Sequence, residues 1–379
     1  MKILYDYQTF DEQKTGGISR YHANLYEGCL ENNIEAEIAL LYTDNIYINN
    51  IIKGLKPSFT DKERFLYNLN IPYKHYIYKM YKKIIAPCNN STMLNKKYCD
   101  RVIKQHDFDI FHPTYYHNIY TEKEVSAPIV ITIHDMIYES HPEYFNQIDI
   151  ISKKKEMIHN ATAIIAISNY TKEEILRFYP DINDSKIKVI YHGINKKINL
   201  CYPEEKQNYL LYVGDRGGYK NFYRLLRALS KLKTKDIKLI CVGKEFSKDE
   251  ILYINFLNLQ NKIINKGRVS DTELQSLYIN AKAYISPSLV EGFGLPLLEA
   301  MQYHTPMIIS DIPIYKEIMK NNAIYFNPLN ENHISEMIDY VLQHESITNS
   351  IVINASKQLE EFTHERTIND TIALYKSLI

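Results

Sequence analysis

Glu291 and Glu299 bracket the segment Gly292-Phe293-Gly294-Leu295-Pro296-Leu297-Leu298, and the three residue types together suggest a site for an anionic ligand. Ala283-Tyr-Ile-Ser-Pro-Ser288 before it reads as a strand and a turn, and Leu297–Gln302 after it as a helix. Glycines let backbone approach a ligand closely, Pro296 pre-organises a helix start, and the free N–H groups of that start favour a diphosphate. Glu299, in the first turns, could reach a ribose diol, while Glu291 on the preceding loop would face a sugar. The bland alternative is a strand–loop–helix connection with a capping acid, and a glycine turn before a helix is weak evidence taken alone.

Positive charge for such a ligand is available at Gly214-Asp215-Arg216-Gly217-Gly218-Tyr219-Lys220-Asn221, again between a strand and a helix. Arg216 and Lys220 there could neutralise a departing diphosphate without a metal, although most lysines and arginines are simply solvated. Nearer the start, Thr15-Gly16-Gly17-Ile18-Ser19-Arg20 would let Gly16 and Gly17 bring backbone amides to the sugar and phosphate. Ile133-His134-Asp135 closes another strand and would give a sugar hydroxyl a partner in His134. Phe111-His112-Pro113-Thr114-Tyr115-Tyr116 sits at a third strand end, on the acceptor side, which takes in His112, Tyr115 and Asp135. A lone histidine is more often structural; three motifs at strand ends raise the odds.

The elements that must position these residues alternate strand and helix. Strands are expected at Ile3–Tyr5, Glu37–Tyr42, Asp109–Phe111, Ile129–Ile133, Thr162–Ile167 and Lys188–Tyr191. A second series comprises Tyr209–Val213, Ile237–Val242, Lys262–Lys266, Ala283–Ser286 and Met307–Ser310. Few alternate apolar with polar residues, which suits parallel strands buried on both faces. Ile18, Tyr21, Leu25, Cys29 and Leu30 share one helical face, as do Leu225, Leu226, Leu229 and Leu232. Two βα series imply two α/β domains with ligands outside the carboxyl ends of the strands. The expected division is 1–197 and 198–360, with the linker in Asn195–Asn208 and a final helical run, Phe362–Leu378, in a third segment, 361–379.

Composition narrows the classes further. A chain of 379 residues with 45% hydrophobic and 24% charged residues is expected to fold as a globular protein of more than one domain. Zero formal net charge gives no pointer to nucleic acid. Five cysteines without a C-x-x-C pair suggest neither a disulfide framework nor a zinc–thiolate site, and fit a reducing cytoplasm. No signal peptide is expected, because Asp6 cuts short the apolar start, and without a run of ~20 apolar residues membrane contact would be peripheral. Asp61–Lys83 interleaves Tyr67, Tyr73, Tyr76, Tyr78 and Tyr81 with Lys74, Lys79, Lys82 and Lys83. That segment reads either as a helix on an anionic membrane or as a solvated helix packing on the first domain.

Taken together, these motifs resemble the retaining glycosyltransferases of family 4, whose GT-B fold faces two Rossmann-like domains across a cleft. The matching residues are Gly16-Gly17-Ile18, His134-Asp135, Gly214 through Arg216 to Lys220-Asn221, Gly267-Arg268-Val269, Pro287-Ser288 and Glu291 to Met301. The resemblance is weakest from Ile46 to Gln105. It implies that Glu291 contacts the donor sugar, Glu299 the ribose, and Arg216 and Lys220 the diphosphate. His134 would lie by the sugar and Val269 by the base, with Gly16, Gly17, Gly292, Phe293, Gly294 and Leu295 completing the donor site. Many relatives carry a contiguous Arg-Lys-Asn where this chain has Tyr219-Lys220-Asn221, so Arg216 is expected to supply the guanidinium. The implied donor is a GDP- or UDP-sugar, with mannose as the guess, and the implied acceptor a glycan or lipid-linked saccharide of a surface polysaccharide. No cofactor or metal is expected, and the last helix is expected to cross back to the first domain. The alternatives are a sugar-nucleotide epimerase, a non-catalytic sugar-nucleotide-binding subunit, and a metal hydrolase using His112, His117, His134 and His141.

Overall fold

The computed structural model describes all residues except 61–89, 122, 146–147, 197–201, 204 and 235, and no side chain is described for 345–349. The Asp61–Lys83 segment lies outside the described residues.

Among the described residues, twelve strands form parallel sheets. The first half contributes β1 (Lys2–Tyr5), β2 (Glu35–Ile38), β3 (Ile110–His112), β4 (Val130–Ile133), β5 (Ala163–Ala166) and β6 (Ile187–Val189). These make two three-stranded sheets, β2-β1-β3 and β4-β5-β6, joined by a single parallel bridge between Phe111 and Ile129. All residues of β4 and β5 are buried, as expected for strands rich in Val, Ile and Ala, with Thr132 the polar exception. The second half contributes β7 (Gln207–Val213), β8 (Lys238–Val242), β9 (Ile263–Gly267), β10 (Ala281–Ser286), β11 (Met307–Ser310) and β12 (Ile324–Phe326). They form one sheet in the order β12-β11-β10-β7-β8-β9. Strand order therefore reverses between β7 and β10, and open α/β sheets bind ligands at such a point.

Two departures from the expected strands stand out. The second strand is expected at Glu37–Tyr42, but β2 ends at Ile38 because the amides of Leu41 and Tyr42 are taken by the Asn95 side chain, both at 3.0 Å. β12, a three-residue edge strand, is not among the expected strands. Of the first amphipathic helix, Gly17–Glu31, Tyr21, Leu25 and Cys29 are buried, whereas Leu30 faces solvent.

The helix His364–Lys376 packs on the first-half core. Ile368, Ile372 and Tyr375 join the cluster built from β1 to β6, and the Tyr375 hydroxyl lies 3.1 Å from that of Tyr5. A Cβ on Gly28 would come within 2.4 Å of Ile368, so glycine there admits this helix. The chain crosses between halves at a bridge pairing Ile194 with Thr363. Here Gly193 is pressed against the Thr363 carbonyl, with 2.1 Å left for a Cβ.

Candidate active site

A cleft of about 530 Å³ lies between the halves, at the carboxyl ends of both sets of strands. Its second-half wall is the reversal point itself. The loop after β7 delivers Lys220 and the loop after β10 delivers Glu291, and their side chains meet at 2.6 Å. Asn221 holds the two loops together, donating from Nδ2 to the carbonyls of Pro287 at 2.9 Å and Pro328 at 2.8 Å. Its φ of 59° is one that asparagine tolerates better than most residues. Glu291 Oε1 also accepts from Ser288 at 2.7 Å and Tyr315 at 3.4 Å. Burial works against the Lys220 ammonium, yet the Glu291 charge outweighs it and holds its pKa above the ordinary lysine value. The lysine is charged and the carboxylate is fixed in orientation.

Two helix starts face this pair. Gly294, at φ 100°, caps the helix Leu295–Gln302 with Pro296 in its first turn. Opposite stands the start of Gly17–Glu31, with Leu295 Cδ1 3.9 Å from the Cβ position of Gly17. Gln13 closes over Gly16 and accepts from the Ser19 amide at 3.1 Å, so part of that helix start is already capped. Gly292, Phe293, Gly294 and Leu295 line the cleft as well. Gly292 touches the first half directly: a Cβ there would stand 2.1 Å from the His134 carbonyl and 2.9 Å from Asp135 Cβ.

His134 and Asp135 complete the facing wall. The His134 ring stacks on His192 at 5.5 Å and 14°, and its Nε2 is buried with no partner. Burial first, then the neighbouring His192 and His112, pull its pKa well below the ordinary value, so the ring is neutral. Beneath the turn, Lys154 is 1% exposed and donates to Glu139 at 2.7 Å and to the Asp135 carbonyl at 3.1 Å. Asp135 Oδ1 accepts from the Ile137 amide.

Glu299 lies in an adjoining hollow that shares Gly17, His192 and Leu295 with the cleft. Its Oε2 accepts from Tyr278 at 2.9 Å, and burial raises its pKa against that bond. Val269, following β9, is partly buried against the second-half core.

Three expected residues stand elsewhere. Arg216 does not face the Glu291 pair: its guanidinium is held by Glu250 at 2.7 Å and by the carbonyls of Lys244 and Glu245 at 2.8 and 2.9 Å. It packs over Phe246, with Nη1 buried and unpartnered. His112 is fully buried, its Nδ1 2.5 Å from the Tyr375 hydroxyl and its Nε2 3.0 Å from Thr132, and burial lowers its pKa to about 3. It ties the last helix to the sheet rather than meeting an acceptor. Tyr115 stacks on Tyr116 at 4.7 Å and does not line the cleft. His117 pairs with Glu12 and His141 with Glu143. Among the described residues no group of three or more His, Cys, Asp or Glu is arranged to hold a metal ion.

Sequence reasoning missed His192, Tyr315 and Tyr278. His192 follows β6, and the strand-end rule that singled out His134 would have found it. Tyr278 and Tyr315 sit within helices and carry no local signal.

Residues 15–197 match the family model for Glycosyltransferase Family 4, and residues 201–358 match that for Glycosyl transferases group 1. The chain belongs to the family 4 glycosyltransferases. The O-antigen chain mannosyltransferase RfbU of Salmonella typhimurium is 31% identical over 215 residues, covering 56% of this chain and 60% of its own. The O-antigen chain mannosyltransferase B of Escherichia coli is 28% identical over 267 residues, covering 66% and 70%. The first of these alignments thus spans about three-fifths of the relative's length. Among solved structures, Anabaena Alr3699/HepE in complex with UDP and glucose superposes with a TM-score of 0.73 at 16% identity, covering 100% of both chains. A glycosyltransferase from Rickettsia africae gives 0.70 at 21%, covering 100% of this chain and 98% of its own. The fold of this family 4 member is GT-B.

Proposed function

We propose that the chain transfers a hexose, with mannose the first candidate, from a GDP- or UDP-sugar to a glycan or lipid-linked acceptor of a surface polysaccharide such as an O-antigen. The observation that carries this is the Lys220–Glu291 pair set between two helix starts at the strand-order reversal. The names of the O-antigen mannosyltransferase relatives support the substrate class, and the bound UDP and glucose of the Anabaena protein support a nucleotide-sugar donor.

Breaking the sugar–phosphate bond builds negative charge on the diphosphate. Lys220 and the free amides of the Leu295 helix start answer it without a metal. Glu291, already accepting from Lys220, Ser288 and Tyr315, positions the sugar. Retention follows if the acceptor hydroxyl attacks the face the phosphate leaves and gives that phosphate its proton. His134 offers its unpartnered Nε2 to a sugar hydroxyl, and Glu299 takes the ribose. Arg216, committed to Glu250, braces the loop that carries Lys220. The buried free thiols of Cys29, Cys99 and Cys241 fit action in the cytoplasm, at the inner membrane face where lipid-linked acceptors are met. Among the described residues no helix is long and apolar enough to cross a membrane.

A thermal-shift panel of GDP-, UDP-, dTDP- and ADP-sugars tests the donor, because a ligand of the native state raises apparent stability. One base should stand out, and no shift with any of them would sink the donor site. Conversion of the donor to an isomer without acceptor would identify an epimerase instead.

A further inference from the structure

Beside the cleft, at the Gly217-Gly218 turn, opens a second hollow of about 510 Å³, and Asp215, Tyr219 and Lys220 line both. Its walls come from the two halves of the molecule. Tyr144 and Phe145 approach from the first, and Tyr219 and Tyr223 from the second. Phe145 lies 5.5 Å from the Tyr219 ring and Tyr144 6.3 Å, both tilted. The turn between them presents backbone: nothing stands within 4 Å of a Cβ on Gly217, and one on Gly218 would come within 2.7 Å of Tyr144. Tyr144 and Tyr223 are each 38% exposed, so their rings are open for a ligand to cover.

The charged side chains of this hollow are largely paired. Lys220 is paired with Glu291, and Arg216 with Glu250 and two carbonyls, leaving its Nη1 unpartnered. At the rim Asp215 and Lys244 pair at 3.1 Å while remaining 59% and 68% exposed, so both can turn to a ligand's hydroxyls. Open aromatic rings, a bare peptide floor and a balanced, exposed ion pair suit a neutral polyhydroxylated ring, whose C–H face covers an aromatic and whose hydroxyls take the polar groups.

We infer that this hollow is a subsite for the acceptor glycan, seating the saccharide unit that precedes the one whose hydroxyl reacts. The inference rests on the glycosyltransferase reading and deepens it. The shared wall of Asp215, Tyr219 and Lys220 gives the connection: an acceptor whose reacting unit lies by Lys220 and Glu291 has its next unit between Tyr144 and Tyr223. The acceptor is then at least a disaccharide, and a monosaccharide leaves the hollow empty.

The test compares matched methyl monosaccharides and disaccharides of mannose, glucose and galactose as acceptors, using the nucleotide sugar selected by the thermal-shift panel. The readout is the ratio of kcat/KM for a disaccharide over its monosaccharide, in the wild type and in the Tyr144→Ala/Tyr223→Ala double variant. Wild type should favour the disaccharide roughly tenfold, and the double variant should bring the ratio close to one, as the loss of two aromatic contacts implies. The nucleotide-induced rise in melting temperature of the variant separates a lost subsite from a lost fold. Equal use of both acceptors by wild type overturns the inference, and so does a preference that survives in the double variant. Wild type that transfers to no member of the panel from any donor would instead count against the glycosyltransferase reading.

Discussion

Glu317, on the second-half helix Pro313–Met319, caps a helix of the first half through Asn169. Its Oε1 accepts from the Asn169 amide at 2.7 Å, Oε2 accepts from the Tyr170 amide at 2.8 Å, and the Tyr191 hydroxyl adds a bond to Oε1 at 2.9 Å. A carboxylate at a helix N-terminus satisfies free amides and meets the positive end of the dipole. Here one half of the molecule supplies that carboxylate to the other.

Glu317→Ala should therefore cost about 1–2 kcal/mol, the size of a lost cap, and loosen the two halves. Denaturant unfolding would give the first and small-angle scattering the second. A variant of wild-type stability and wild-type radius of gyration would show that the cap carries no load between the halves.

Lys220→Ala removes the cation paired with Glu291 and should lower kcat by ~10²-fold or more, as loss of a charge-stabilising donor does elsewhere. Glu291→Gln keeps the shape and the Ser288 contact but leaves Lys220 without its counter-charge. Its transfer rate should fall as well; near-wild-type transfer by Glu291→Gln would remove Glu291 from the sugar.

Gly292→Ala tests the contact across the cleft. A methyl group there collides with the His134 carbonyl, which is backbone and cannot swing aside. The halves should be wedged apart, so that the nucleotide-induced melting shift shrinks while the unliganded protein stays folded. A shift of wild-type size would mean that donor binding needs no such approach.

Lys154 and Glu139 are 1% and 3% exposed and paired at 2.7 Å. Lys154→Met strands the Glu139 charge and should cost about 3–5 kcal/mol, whereas Lys154→Met/Glu139→Leu should recover most of it. Urea unfolding of both variants decides this. A double variant as unstable as the single one would show that the Asp135 carbonyl, and not the charge pair, is what Lys154 serves.

Acid should destabilise the protein beginning near neutrality. Burial lowers His192 to about 4 and His112 to about 3, and it pulls His22 and His134 well below the ordinary value. Unfolded histidines titrate near 6.5, so between that value and about 4 the unfolded chain binds more protons and stability falls as pH falls. Asp6, Glu139 and Glu299, raised by burial, act in the opposite direction above the ordinary carboxylate range. The melting temperature should drop from pH 7 to 5.5, and less steeply in His192→Gln. A flat profile over that interval would contradict neutral, buried rings.

The residues around Glu291 were legible because strand, glycine turn and helix start are local patterns, and they lie close in sequence. Lys220 was legible for the same reason, seventy residues away but at an equivalent strand end. Arg216 was misread because its fate depends on Glu250, whose side chain reaches it from another strand–helix unit. A charge in a loop announces that it needs a partner without naming one. His112 was misread similarly: its strand end looked open, and the Tyr375 hydroxyl that fills it comes from the far end of the chain. Apolar runs such as Ala163–Ala166 marked the sheets well, whereas β12, no shorter than β3 or β6, was missed.

Tyr375 meets Tyr5 and His112, residues separated from it by more than 260 positions. The first six strands are all synthesised before that tyrosine exists. Until it leaves the ribosome, the groove along Gly28 and His112 lacks its cover, and the early half must wait, partly open, for the late helix. A chain halted before residue 375 would leave that apolar groove uncovered, and surface of this kind makes a partly folded chain prone to aggregate.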